Sequence, residues 1–142
     1  MNLKSLLILF VFLALSCEDE TLTSTKAINE MTDPDAVLQY SGAFTSGPYG
    51  TVTGTAQIFK RIDDTFDLKL EMFNTSNGPD LYVYLSKEAM PINFISLGKL
   101  KSTNGSQVYA ITGSPDFNEY KYISIHCKAY NHLFGFALLT EE

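Results

Sequence analysis

The most reactive side chains lie close together near the C-terminal end. His126, Cys127 and His132 fall in the run Ile123-Ser124-Ile125-His126-Cys127-Lys128-Ala129-Tyr130-Asn131-His132, and they comprise both histidines and one of the two cysteines. A thiol among imidazoles suits three chemistries: a nucleophile with its base, a reversible redox group, or ligands for a metal or haem iron. Spacing opposes the first. Adjacent residues of a strand point to opposite faces, so His126 and Cys127 cannot readily share a metal or act as nucleophile and base. His132, in the turn beyond the strand, can fold back toward either face. The covalent haem signature of two cysteines and a histidine is absent, which leaves Cys127, His132 or Met72 as axial ligands for a non-covalent haem. The ordinary reading makes His126 a surface strand residue and His132 a loop residue.

Cys127 itself carries two readings. Alternation places it with Ile123, Ile125 and Ala129 on an inward face, where a free cysteine usually packs as a small hydrophobe. A redox or ligating thiol instead needs a polar, partly exposed setting. Asp80, in Asn77-Gly78-Pro79-Asp80, is an auxiliary candidate. That tetrapeptide is a sound turn on backbone grounds, and both Asn77 and Asp80 can accept amide hydrogens within it. A calcium site would need about six to eight oxygen ligands, and no acidic repeat supplies them; no particular metal is indicated. The sequence contains no Gly-x-Ser-x-Gly elbow, His-Glu-x-x-His, phosphate loop or paired-cysteine motif, so no conventional enzyme is expected. Asp63 and Asp64 read as solvated carboxylates in a polar turn. Tyr82 and Tyr84 point away from the Leu81-Val83-Leu85 face, either as an exposed aromatic strip for sugars or packed on a sheet rim.

The elements that must position these residues read as strands. Phe66-Asp67-Leu68-Lys69-Leu70-Glu71-Met72 alternates apolar and charged residues, the pattern of a half-buried strand. Thr53 to Lys60, Leu81 to Ser86, Gln107 to Thr112, Tyr122 to Ala129 and Leu133 to Thr140 have similar texture, separated by Gly/Pro/Asn turns. Short stretches around Ala36 to Tyr40 and Ser86 to Met90 are the only helical candidates, too short to be stable alone. The fold expected is all-β, an antiparallel sandwich or barrel-like single domain over residues 40–142, which suits a chain of 142 residues. With apolar residues at 45% and charged residues at 18%, the chain is neither disordered nor fibrous. Sixteen acidic residues against ten basic ones give a net charge of −6, which repels phosphate backbones and argues against nucleic-acid binding.

Residues 1–16 carry Lys4 and then an apolar run from Leu6 to Leu15, too short to span a bilayer but suited to the hydrophobic region of a secretory signal. Cys17 stands where a signal peptidase would cut. The segment resembles a bacterial lipoprotein signal, with Leu13 and Ser16 fitting the pattern and Ala14 and Leu15 departing from it. That resemblance implies lipid on Cys17 and anchorage to a bilayer at the cell envelope, at the outer membrane. The alternative is a cleaved, secreted chain in which Cys17 is incidental. Glu18-Asp19-Glu20 resembles a surface-export signal, or else begins a solvated acidic tether. Residues 17–39 show no apolar period and are expected to form a flexible tether.

From about Tyr40 to Leu139 the chain is similar to the DM-thirteen domain family. The resemblance is carried by Gly42-Ala43-Phe44, by Gly78-Pro79-Asp80-Leu81-Tyr82-Val83-Tyr84-Leu85-Ser86, by Asn104-Gly105-Ser106-Gln107-Val108-Tyr109, and by Cys127-Lys128-Ala129-Tyr130 followed by Phe134-Gly135-Phe136-Ala137. A tryptophan commonly precedes the family's cysteine; His126 stands there. The resemblance implies an electron-transfer domain centred on Cys127, as a bare redox thiol or a ligand to a prosthetic group such as haem, working with a redox or surface protein partner. The competing expectation is a non-catalytic β-sandwich that binds or adheres to glycan or protein, in which Cys127 only packs.

Overall fold

A computed structural model of the protein describes residues 21–142; the apolar leader, Cys17 and the Glu18-Asp19-Glu20 cluster lie outside the described residues. Ten strands and no helix occur among the described residues: β1 (Ile28–Asn29), β2 (Val37–Ser46), β3 (Val52–Lys60), β4 (Phe66–Thr75), β5 (Leu81–Ser86), β6 (Phe94–Lys99), β7 (Gly105–Ile111), β8 (Tyr122–Cys127), β9 (His132–Leu138) and β10 (Thr140–Glu141). They form one sheet in the order β1-β7-β4-β3-β2-β9-β8-β5-β6, with β10 paired to β2. Every pairing is antiparallel except β1 with β7. The sheet curls into a half-barrel, so the all-β expectation holds with one parallel pair at an edge.

The curl turns on β2. Its residues Val37 to Ala43 pair with β3, whereas Phe44 to Ser46 pair with β9, so one strand serves both halves. The inner faces meet over Ala56, Ile58, Leu68, Leu70, Val83, Leu85, Ile123 and Ile125, all at 0% exposure, and this shared apolar burial drives the closure. Ala36 to Tyr40, considered as helix, enters β2, and Ser86 to Met90 is the end of β5 followed by a turn. In the second case the Ser86 hydroxyl donates to the Glu88 carbonyl at 2.6 Å.

Two departures from simple alternation have local causes. Opposite Thr53 and Thr55 the β3–β4 register shifts, with Gly54 at φ +109° and Met72 at φ +48°, a bulge that needs glycine on one side. The extra residue turns Met72 out to solvent, 79% exposed, and Phe73 inward to 1%. Asp67, expected on a charged outer face, is buried because Arg61 Nε reaches its Oδ2 at 2.6 Å. The polar turn holding Asp63 and Asp64 is as expected: Asp63 accepts from the Thr65 amide and hydroxyl, which hold its carboxyl below the usual aspartate value, and Asp64 pairs with Lys60.

The described part of the expected tether, 21–39, is not a free linker. Leu22 bridges Pro79, the Thr103 amide donates to the Ser24 carbonyl at 2.8 Å, β1 adds a strand beside β7, and β2 begins at Val37. The contacts are mainly backbone and polar, with no buried side chain from 21 to 30, which is why apolar periodicity did not reveal them.

Candidate functional site

Cys127 is the last residue of β8 and faces inward, 1% exposed, as its neighbours Ile123 and Ile125 predicted. Ala129, expected on the same strand face, lies in the following turn and is exposed. The thiol of Cys127 donates to the Pro79 carbonyl at 2.9 Å. Two strands flank it in register, with Leu81 of β5 on one side and His132 of β9 on the other. Directly opposed residues share a face with Cβ atoms ~4.5–5.5 Å apart, so Cys127 and His132 stand side by side at the rim of the half-barrel. His132 opens β9 rather than lying in the loop. Its ring stacks on Tyr49 at 3.6 Å and 4°, and Tyr49 is 56% exposed, so an aromatic pair runs from the neighbour of the buried thiol to the surface.

Of the residues singled out from sequence, the structure brings Cys127 and His132 together, groups His126 with Tyr82 and Tyr84, and leaves Met72 apart in solvent. His126 occupies the opposite sheet face, across from Tyr82, where a bulge sets Leu133 rather than Phe134 opposite it. It is not the surface residue expected: it is 4% exposed. Its Nε2 lies 2.9 Å from Asn131 Oδ1 and Nδ1 is buried without a partner, an arrangement in which Nε2 donates and Nδ1 keeps a bare lone pair. Burial pushes the His126 pKa below the ordinary histidine value despite the opposing Asn131 bond, and His132 nearby adds to the lowering. Tyr84 packs 5.7 Å from this ring and stacks on Phe94 at 4.1 Å; at 3% exposure it belongs to a covered rim, not an open strip. Tyr82 is half-buried beneath the Lys128 ammonium, 5.1 Å from its ring centre. The segment after β5 supplies the cover, since the hydroxyl of buried Ser124 donates to the Ala89 carbonyl at 2.9 Å.

Asp80 sits at φ +59° and its carbonyl accepts from the Lys128 amide at 3.1 Å, which fastens the turn to the end of β8. Its carboxylate lies 4.0 Å from Lys99 Nζ, on a cleft of about 190 Å³ that Thr21 to Ser24 also line. Asn77, not Asp80, satisfies the turn: its Oδ1 accepts from the Gly78 amide at 2.8 Å.

A haem does not fit these residues. The Cys127 sulfur is packed in the core against a carbonyl, the His132 ring is stacked face to face on Tyr49, and Met72 projects to solvent from β4. Among the described residues no group of three or more His, Cys, Asp or Glu side chains is placed to hold a metal ion. Sequence reasoning missed the roles of Pro79 and Tyr49: Pro79 was read only as part of the Asn77-Gly78-Pro79-Asp80 turn, which did not say what the turn would touch, and no pattern in the sequence singled out Tyr49.

Fold and site together define a small all-β domain built around one buried thiol at a sheet rim. The family model described as electron transfer DM13 matches residues 43–139, and the chain belongs to that family. No curated protein matches the chain, and no solved structure does.

Proposed function

We propose that the protein is a lipid-anchored module of the bacterial cell envelope, held at the outer membrane through Cys17, whose DM13 domain exchanges electrons with a protein partner through Cys127. The observation that carries the electron-transfer part of this reading is the match to the electron transfer DM13 family over residues 43–139; within that domain Cys127 is held on the Pro79 carbonyl, beside a His132 ring that stacks on exposed Tyr49. Burial protects the sulfur from stepwise irreversible oxidation, and the stacked pair offers a partner a surface contact near it. In the exchange the Cys127 thiol gives one electron to a one-electron metal centre of the partner and its proton to water, leaving a thiyl radical; the reverse step returns the electron and a proton and restores S–H.

The test is Cys127→Ser, whose hydroxyl can still donate to Pro79. Film voltammetry of the intact protein should show a reversible wave that the variant lacks while keeping the same circular dichroism. An unchanged wave, or no wave in either protein, would overturn the redox role. Anchorage is read separately by fatty-acid labelling, expected to vanish in Cys17→Ala. A binding or adhesion module is the second reading, favoured by Ile92 at 73% and Phe94 at 44% exposure beside the Tyr84 stack; it expects ligand capture to survive Cys127→Ser.

A further inference from the structure

Residues 21–30 lie across the turn that holds the thiol. Asn77 grips the backbone of Thr23 from both sides, its Oδ1 accepting from the Thr23 amide at 3.1 Å and its Nδ2 donating to the Thr23 carbonyl at 2.9 Å. Leu22 bridges Pro79, whose carbonyl accepts the Cys127 thiol. Farther along, the Ser102 hydroxyl donates to the Lys26 carbonyl at 2.6 Å, the Ile28 amide reaches the Asn104 carbonyl, and Glu30 takes both Lys101 Nζ and the Val108 amide at 2.7 Å.

These attachments differ in kind from those of the barrel. No side chain from 21 to 30 is buried, Leu22 is 64% exposed, and between Thr21 to Ser24 and the Asp80-Leu81/Lys99-Leu100 edge an open cleft of about 190 Å³ remains. A segment held by exposed and part-buried hydrogen bonds, with no buried side chain of its own, opens at lower cost than strands sharing a core. Its docking also demands glycine at 105: φ is +101°, and a Cβ there would lie 1.9 Å from the Ile28 carbonyl oxygen.

We propose that residues 21–30 are a detachable strap that gates Cys127: docked, it clamps the 77–80 turn over the thiol, and released, it lets the turn lift and admits a reactant to the sulfur. The gate deepens the redox reading above by naming how that site is regulated, but its test reads access and not electron exchange. Full-length protein carrying Cys17→Ser has a single thiol, Cys127. In the probe reaction its thiolate attacks 5,5′-dithiobis(2-nitrobenzoate), forming a mixed disulfide and expelling one thionitrobenzoate, with the thiol proton going to water.

Glu30→Gln and Gly105→Ala should each raise the native-state rate roughly tenfold or more, with amide exchange of 22–30 rising in parallel and that of β5 and β8 unchanged. Faster strap exchange with an unchanged thiol rate overturns the gate. A measurement without substitution decides the same point: at low urea the thiol rate should follow strap exchange, and a rate that follows only global unfolding overturns the proposal. If the gate opens as stated while Cys127→Ser leaves the voltammetric wave intact, the gate stands and the redox role falls.

Discussion

Replacing Gly78 by alanine probes the packing that fixes the thiol's turn. A Cβ at Gly78 would lie 2.5 Å from Phe134 Cζ and 3.0 Å from Cε2, about 1 Å inside ordinary contact. The ring cannot simply swing away, because Gly50 closes its other side, where a Cβ would lie 2.6 Å from Cδ2 and 2.8 Å from Cγ. Phe134 is therefore a buried ring held between two glycines, and the displaced atoms must come from the core. Overpacking of this kind costs ~1–3 kcal/mol, offset by ~0.4–1 kcal/mol from the restricted unfolded chain. The net expectation for Gly78→Ala is a loss of about 1.5 kcal/mol, or roughly 6 °C in Tm for a domain of this size. Phe134→Leu alone should cost about 1–1.5 kcal/mol in lost burial. Together the two should cost less than their sum by about 1 kcal/mol, since the shorter side chain vacates the space the new methyl needs. Urea unfolding of all four proteins measures this coupling directly. Costs that add to within ~0.5 kcal/mol would refute the argument, because independent sites behave that way.

Two pH predictions follow from buried or paired groups. His126 has a depressed pKa in the folded state, so below about pH 6.5 the unfolded chain takes up a proton that the folded one resists. Stability should be full above that value and fall as pH drops through the folded value; His126→Phe should abolish this dependence and alter stability at pH 7.5 by less than about 1 kcal/mol, trading an orphaned nitrogen for one lost bond. The Lys101 ammonium, with the Val108 amide, holds the Glu30 carboxyl below its ordinary value, so strap docking should be intact above about pH 4.3 and lost as pH falls through the folded value. Amide exchange of 22–30, corrected for intrinsic rates, should accelerate in acid before β8 does, and Glu30→Gln should flatten that profile.

Much of the architecture was legible because it is written in apolar alternation. Leu81 to Ser86 coincides with β5, and the inward placement of Cys127 followed from Ile123 and Ile125. Strands whose partners are backbone rather than side chain were not legible. β2, with Gln39, Ser41, Gly42, Thr45 and Ser46, lacks a clear period because it changes partners midway. β6 has both ends exposed, and β1 is two residues long.

From its sequence the protein was recognisable as an all-β DM13 domain with Cys127 turned inward, because period-two burial and family motifs depend on residue order along one strand. Tertiary structure alone decided three further matters. It paired Cys127 with His132, because cross-strand register and a one-residue bulge set which side chains of neighbouring strands share a face. It buried Ser124 and His126 on an outer face that alternation assigned to solvent, because the loop after β5 folds over Ser124 while Tyr84 and Asn131 pack against His126. It laid residues 21–30 on the turn above the thiol through hydrogen bonds spanning more than fifty positions, contacts that leave no periodic trace in the chain.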